Sequence, residues 1–159
     1  MDTGITRFIL GKETSEYLQI LVYDFSYPNS TDFWDGNWIN TRIKIKVTGF
    51  IGDYEAQLRN VDFLDFKNEL ERLYNNLDGY ANFNCLEDYL QIKIKGDGLG
   101  HFFAECIAID NPGIYRHELK FTLEFDQTEI HGMTKMIDDL LNEFPIKDIG
   151  QIQKNKRIK

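Results

Sequence analysis

WINTRIKIKVTGFIGDYEAQLR, residues 38–59, followed by VDFLDFKNELERLYNNLDG at 61–79, decides the fold class of this chain. Within 39–47, Ile39, Thr41, Ile43, Ile45 and Val47 alternate with Asn40, Arg42, Lys44 and Lys46, the period of a strand with one buried face. Tyr54, Ala56 and Leu58 then alternate with Glu55, Gln57 and Arg59. The glycines and Asp of Gly49-Phe50-Ile51-Gly52-Asp53 suit a tight hairpin, so the two strands pair antiparallel. After residue 60 the period changes. Phe63, Phe66, Leu70, Leu73, Tyr74 and Leu77 recur every third or fourth residue, which predicts an amphipathic helix with Gly79 placed to end it.

Further along, Leu90, Ile92 and Ile94 alternate with Gln91, Lys93 and Lys95, and Leu119, Phe121, Leu123 and Phe125 alternate with charged or polar neighbours. Ile130, Met133, Ile137, Leu140, Leu141 and Phe144 form a second helical stripe, after Asp126 or Thr128 as caps and before Pro145 as a stop. Its pattern superposes on the first stripe at a shift of 67 residues, and Glu16-Tyr17-Leu18-Gln19-Ile20 is echoed by Asp88-Tyr89-Leu90-Gln91-Ile92. Two readings stay open: a duplication into two strand-strand-strand-helix halves, or chance likeness between amphipathic elements. The expected fold is α+β, a twisted antiparallel sheet with both helices packed on one face. Arg42, Lys44, Lys46, Arg59, Lys93, Lys95 and Lys120 outnumber Glu55, Glu118 and Glu124 on its opposite, open face.

A chain of 159 residues fits one core, expected over 1–145. With 42% hydrophobic residues and three prolines it has the composition of a folded domain. The formal charge is -8, yet the segment 146–159 carries Lys147, Lys154, Lys156, Arg157 and Lys159 against Asp148, and it is expected to be a flexible basic tail. The acidic body repels bulk nucleic acid and attracts basic partners. No apolar run reaches the roughly 18 residues of a membrane span, and the first residues lack an export pattern, from which a cytoplasmic location and no membrane partner are expected.

Catalytic signals are weak. His101, His117 and His131 stand in different elements without metal spacing, and Cys85 and Cys106 lack the neighbours of a zinc or redox site, so no metal or cofactor is expected. Gly96-Asp97-Gly98-Leu99-Gly100 lies between strands rather than before a helix, which is the place of a hairpin and not of a phosphate loop. The connection 27–38 is the richest stretch for contacts. Phe33 and Trp34 sit between Asp32 and Asp35 among turn residues, and these four are the candidate partner-binding residues, with Trp34 the anchor and Trp38 assigned to the core.

Asp35-Gly36-Asn37-Trp38-Ile39-Asn40 resembles the Asp-Ala-Asn-Trp-Leu type of motif of WapI-type bacterial immunity proteins, with Gly36 where that family has a small residue such as Ala. In order along the chain, Leu58 to Leu77, Gly96 to His101, Phe121 to Gln127 and Phe144-Pro145 resemble further blocks of the family, so the resemblance covers about residues 16–145. It implies a non-enzymatic immunity protein, a monomer or weak dimer, that binds the C-terminal domain of a cognate toxin, often a nuclease, in the cytoplasm. The alternatives are a single-stranded nucleic-acid module using the basic sheet face, or an enzyme without a recognisable signature.

Overall fold

A computed structural model describes residues 5–151. In chain order the elements are β1 (Thr6–Gly11), β2 (Tyr17–Phe25), β3 (Trp38–Val47), β4 (Phe50–Arg59), α1 (Asn60–Asn76), β5 (Asp78–Asn84), β6 (Leu90–Asp97), β7 (His101–Ile109), β8 (Glu118–Asp126) and α2 (Gln127–Glu143). The fold is α+β, and it falls into two halves of four antiparallel strands followed by one helix. The helices begin at Asn60 and Gln127, at the 67-residue shift of their apolar stripes.

Two details differ from the expectation. Each half has a fourth strand, β1 or β5, whose short alternation is hard to separate from a connection: β1 buries only Phe8 and Leu10, and β5 only Ala81 and Phe83. The strands also make two sheets, β1-β2-β3-β4 and β5-β6-β7-β8, where alternation alone points to one. Alternation reports which face of a strand is buried, not which ladder it joins; here α1 carries the chain away from β4 before β5 begins. The basic residues are divided accordingly, Arg42, Lys44 and Lys46 on the first sheet and Lys93, Lys95 and Lys120 on the second.

The halves share one core. α1 packs on β5 and on α2, while α2 packs back on β1, so each helix touches the first strand of the other half. Phe8 of β1 meets Phe63 and Phe66 of α1 at 6.2 and 5.9 Å, and Phe83 of β5 meets the same two rings at 5.0 and 5.6 Å. Edge and tilted contacts between rings add to the burial of their large apolar area.

The helix ends are unequal. Asp126 caps α2 in a reciprocal box: its carboxylate accepts from Thr128 N at 2.9 Å and Glu129 accepts from Asp126 N at 3.0 Å. At the same place before α1 stands Arg59, which offers no capping side chain. α1 is closed by Leu77, which takes the left-handed conformation at φ 61°, so the expected terminator Gly79 falls inside β5. In the β6–β7 hairpin Gly98 and Gly100 do take positive φ, 84° and 96°, whereas the β3–β4 turn at Thr48-Gly49 needs none.

Candidate partner-binding surface

The loop between β2 and β3 is built around Asp32. Its carboxylate accepts from Ser30 Oγ at 2.6 Å and from the backbone N of Asp35 and Gly36 at 3.2 Å each, and the Ser30 hydroxyl first among them holds its pKa below the usual carboxylate value. Asp32 therefore closes the turn. Phe33 is not exposed as the sequence suggests; it is buried, 5% accessible, with the Arg59 guanidinium 5.7 Å from its ring centroid. Trp34 stands edge-on to it at 5.2 Å and is 55% exposed. Asp35 is exposed. Of the four candidate residues, Asp32, Trp34 and Asp35 are exposed and only Phe33 is buried beneath them. Trp38 is only partly buried as the first residue of β3 and lies outside the core cluster, so its assignment to the core is corrected.

Asn37 fastens this loop from below. Fully buried, it donates from Nδ2 to the carbonyls of Phe33 (2.9 Å) and Lys147 (3.0 Å) and accepts from Lys147 N at 2.8 Å. The Lys147 ammonium reaches over the loop, donating to the carbonyl of Ser30 at 2.8 Å and lying near those of Pro28 and Tyr27, and it sits 4.1 Å from the Phe25 ring centroid. Gly36 is needed here: a Cβ would come within 2.5 Å of the Asp32 carbonyl and 2.9 Å of Lys147 Cδ. Sequence reasoning placed Lys147 in a flexible tail and Asn37 only in a motif. Lys147 lies within the described part of that segment, and residues 152–159 lie outside the described residues.

A second surface was not foreseen. At the far end of β3 and β4, Phe50 and Ile51 are 65% and 79% exposed, and on the β7–β8 loop Ile114 and Tyr115 are 93% and 87% exposed. A cleft of about 310 Å³ lies between the hairpin and that loop, with Asp53, Asp110, His117 and Glu118 in its walls. His117 Nδ1 is 2.8 Å from Asp110 Oδ2, Arg42 holds Asp53 at 2.6 Å and Arg116 holds Glu118 at 2.9 Å. The backbone N of His117 and then its ring keep the Asp110 pKa low. An apolar pair inside a turn, Phe50-Ile51, was the signal available in the sequence.

The histidines have separate settings: His101 pairs with Asp97 at 3.1 Å, His117 with Asp110, and His131 lies beside Tyr74. Among the described residues no His, Cys, Asp and Glu gather as a metal site. Burial pushes the Cys85 thiol up to about 11 and the Cys106 thiol up to about 12, so both are protonated at neutral pH and poor nucleophiles. What these surfaces offer chemically is contact: exposed rings and carboxylates on rigid supports.

The model of the immunity protein WapI-like family matches residues 8–145, most of the chain. No curated protein matches. Among solved structures the chain is similar to one from the crystal structures of trypanosoma bruciei MRP1/MRP2, at 11% identity over 86% of this chain and 83% of that one, with a TM-score of 0.47.

Proposed function

We propose a role that follows from kinship: the chain belongs to the WapI-like immunity protein family, and it neutralises a toxin by binding the toxin's C-terminal domain one-to-one, without catalysis. The family match over residues 8–145 is the observation that carries this reading. Trp34 supports it, because an indole held on a buried Phe33 and flanked by Asp35 loses little freedom when a partner covers it. The acidic balance of -8 suits a basic partner such as a nuclease and speeds their encounter. Neutralisation takes place in the cytoplasm in this reading; no helix of the described residues is long and apolar enough to cross a membrane.

Co-expression with the toxic domain encoded beside it should restore growth, and calorimetry should give a nanomolar Kd at a stoichiometry of one. Absence of both protection and binding would overturn the proposal.

A second reading has one observation in its favour. Tyr80 and Phe103, 46% and 45% exposed, flank Lys95 in one row across the second sheet, and Lys93 lies 4.7 Å from the Tyr80 ring centroid, an arrangement that can stack bases. Glu124 completes that row and Glu105 the next, which places carboxylates where a phosphate backbone would run. A labelled oligonucleotide that stays free at low salt ends this reading.

A further inference from the structure

Most of the largest exposed apolar side chains gather at one end of the molecule, with Leu99, 81% exposed on the β6–β7 hairpin, at the other. Phe50 and Ile51 on the β3–β4 hairpin, Leu86 on the β5–β6 connection, and Ile114 and Tyr115 on the β7–β8 loop are 65% to 93% exposed. These connections are tied together: the Tyr54 hydroxyl of β4 donates to the Tyr89 carbonyl at 2.7 Å, and that carbonyl also accepts from Ile109 N at the end of β7. The tips are held rather than loose. Thr48 N donates to Glu16 at 3.1 Å, and the β7–β8 loop is closed by His117 N on Asp110 at 3.0 Å together with Asp110 N on the His117 carbonyl at 3.3 Å. Apolar groups kept rigid in water are a poor arrangement for solubility and a good one for binding, because the ordering cost is met before the partner arrives.

From this end of the molecule we infer that the cleft between the β3–β4 hairpin and the β7–β8 loop is a second docking surface for the toxin, taking one of its basic side chains between apolar neighbours. The inference rests on the immunity reading above. The cleft wall carries Asp53, Asp110, His117 and Glu118 and no Lys or Arg; Arg42, His117 and Arg116 each engage one carboxylate, and the three carboxylates still outnumber the two guanidinium groups. A cation entering the cleft meets this carboxylate lining, while Phe50 and Ile51 in its wall cover the apolar stem of a Lys or Arg, and Tyr115 stands on the loop that forms the other side. A second copy of this chain is the wrong occupant. Two-fold pairing through this end would bring each acidic cleft against its own image, and like charges facing across an interface oppose it. The surface lies at the opposite end of the ten-residue β3 from the Trp34 loop, about 30 Å away, so the two contacts can be broken separately.

The test uses the full chain and the recombinant toxin domain encoded beside it, in calorimetry with thermal melts as control. The double variant Ile51→Ser, Tyr115→Ala alters only exposed side chains, so its Tm should stay within a few degrees while Kd for the toxin rises about thirtyfold or more. Ile114→Ser, at 93% exposure, is the independent check if the double variant melts early. Glu118→Gln should weaken binding and flatten its salt dependence. Tight binding by the wild type with Kd within twofold for both apolar variants overturns the inference and leaves the immunity reading standing. No binding by the wild type overturns both. A concentration-dependent dimer of the free chain that these variants abolish assigns the surface to a second copy and overturns the inference as well.

Discussion

Asn37 holds Lys147 by its backbone from both sides, Nδ2 on the carbonyl at 3.0 Å and Oδ1 on the N–H at 2.8 Å, and so joins the loop before β3 to the segment after α2, 110 positions later. The same region is tied again by Asn60, whose Nδ2 donates to the Phe144 carbonyl at 3.1 Å and whose N–H is taken by the Asn37 carbonyl. The Trp34 loop thus rests on a knot formed by both halves of the chain.

Replacing Asn37 by Ala strands three backbone groups, the buried carbonyl of Phe33 and the partly buried carbonyl and N–H of Lys147, and each unsatisfied buried group costs about 1–3 kcal/mol. Partial rescue by water makes a loss of about 3 kcal/mol the expected result in urea unfolding. Lys147→Met removes only the ammonium contacts and should cost about 1 kcal/mol, while amide exchange in residues 30–36 becomes faster. Unchanged exchange in that variant would show that the ammonium does not order the loop.

Trp34→Ala should weaken toxin binding by about 2 kcal/mol, near thirtyfold in Kd, with little change in Tm because the ring is already half in water. Phe33→Ala should do the reverse in the first instance, costing the fold about 3 kcal/mol by removing the buried support. Calorimetry and melts on both variants separate the roles; a Trp34 variant that melts early and binds normally when folded would refute them.

Asp62, the third residue of α1, has one carboxylate oxygen buried without a partner, and burial pushes its pKa up to about 6 against a partial pull downward from Arg59. The unfolded value is lower, about 3.9. Below about pH 4 the group is protonated in both states and costs nothing; as pH rises toward 6 the unfolded chain gives up its proton first, and stability falls. The full cost stands above pH 6. Asp62→Asn should therefore add about 2 kcal/mol at pH 7 and almost nothing at pH 4. Equal gains at both pH values would refute the burial argument.

Asp126→Ala removes the cap of α2 and should lower the Tm in thermal unfolding. The exposed Asp126 carboxyl is held below its ordinary pKa, the Thr128 side chain first among the causes, so this contribution is present at neutral pH and is lost as pH falls through that lowered value. A variant whose deficit persists unchanged into strong acid would show that the cap acts by something other than the ionised carboxylate.

Periodicity along the chain was sufficient for the class of fold. The alternation of Ile39 to Val47 and the stripes from Phe63 and Ile130 each report a buried face through local geometry alone, and burial follows them: Ile39, Ile43, Ile45, Phe63, Phe66, Ile130 and Ile137 are all in the core. The 67-residue shift between the stripes became two helices with the same shift and the same number of strands before them. The loop at 32–35 was also visible, because aromatic rings among turn residues and acids stand out by composition.

What the sequence by itself determined, then, is both helices and the strands with long alternation, their antiparallel pairing and the stretch richest in contact residues, all properties set within ten or so positions of chain. Tertiary structure decided the rest. It divided the strands into two sheets, sent each helix onto the first strand of the other half, turned Phe33 inward beneath Arg59 and left Trp34 outward, brought Lys147 against the carbonyls of the loop, and placed Phe50 and Ile51 across a cleft from Asp110 and His117. Each of these depends on groups far apart in sequence meeting in space, and a period of two or of 3.6 residues carries no record of the distant surface against which a given face will pack.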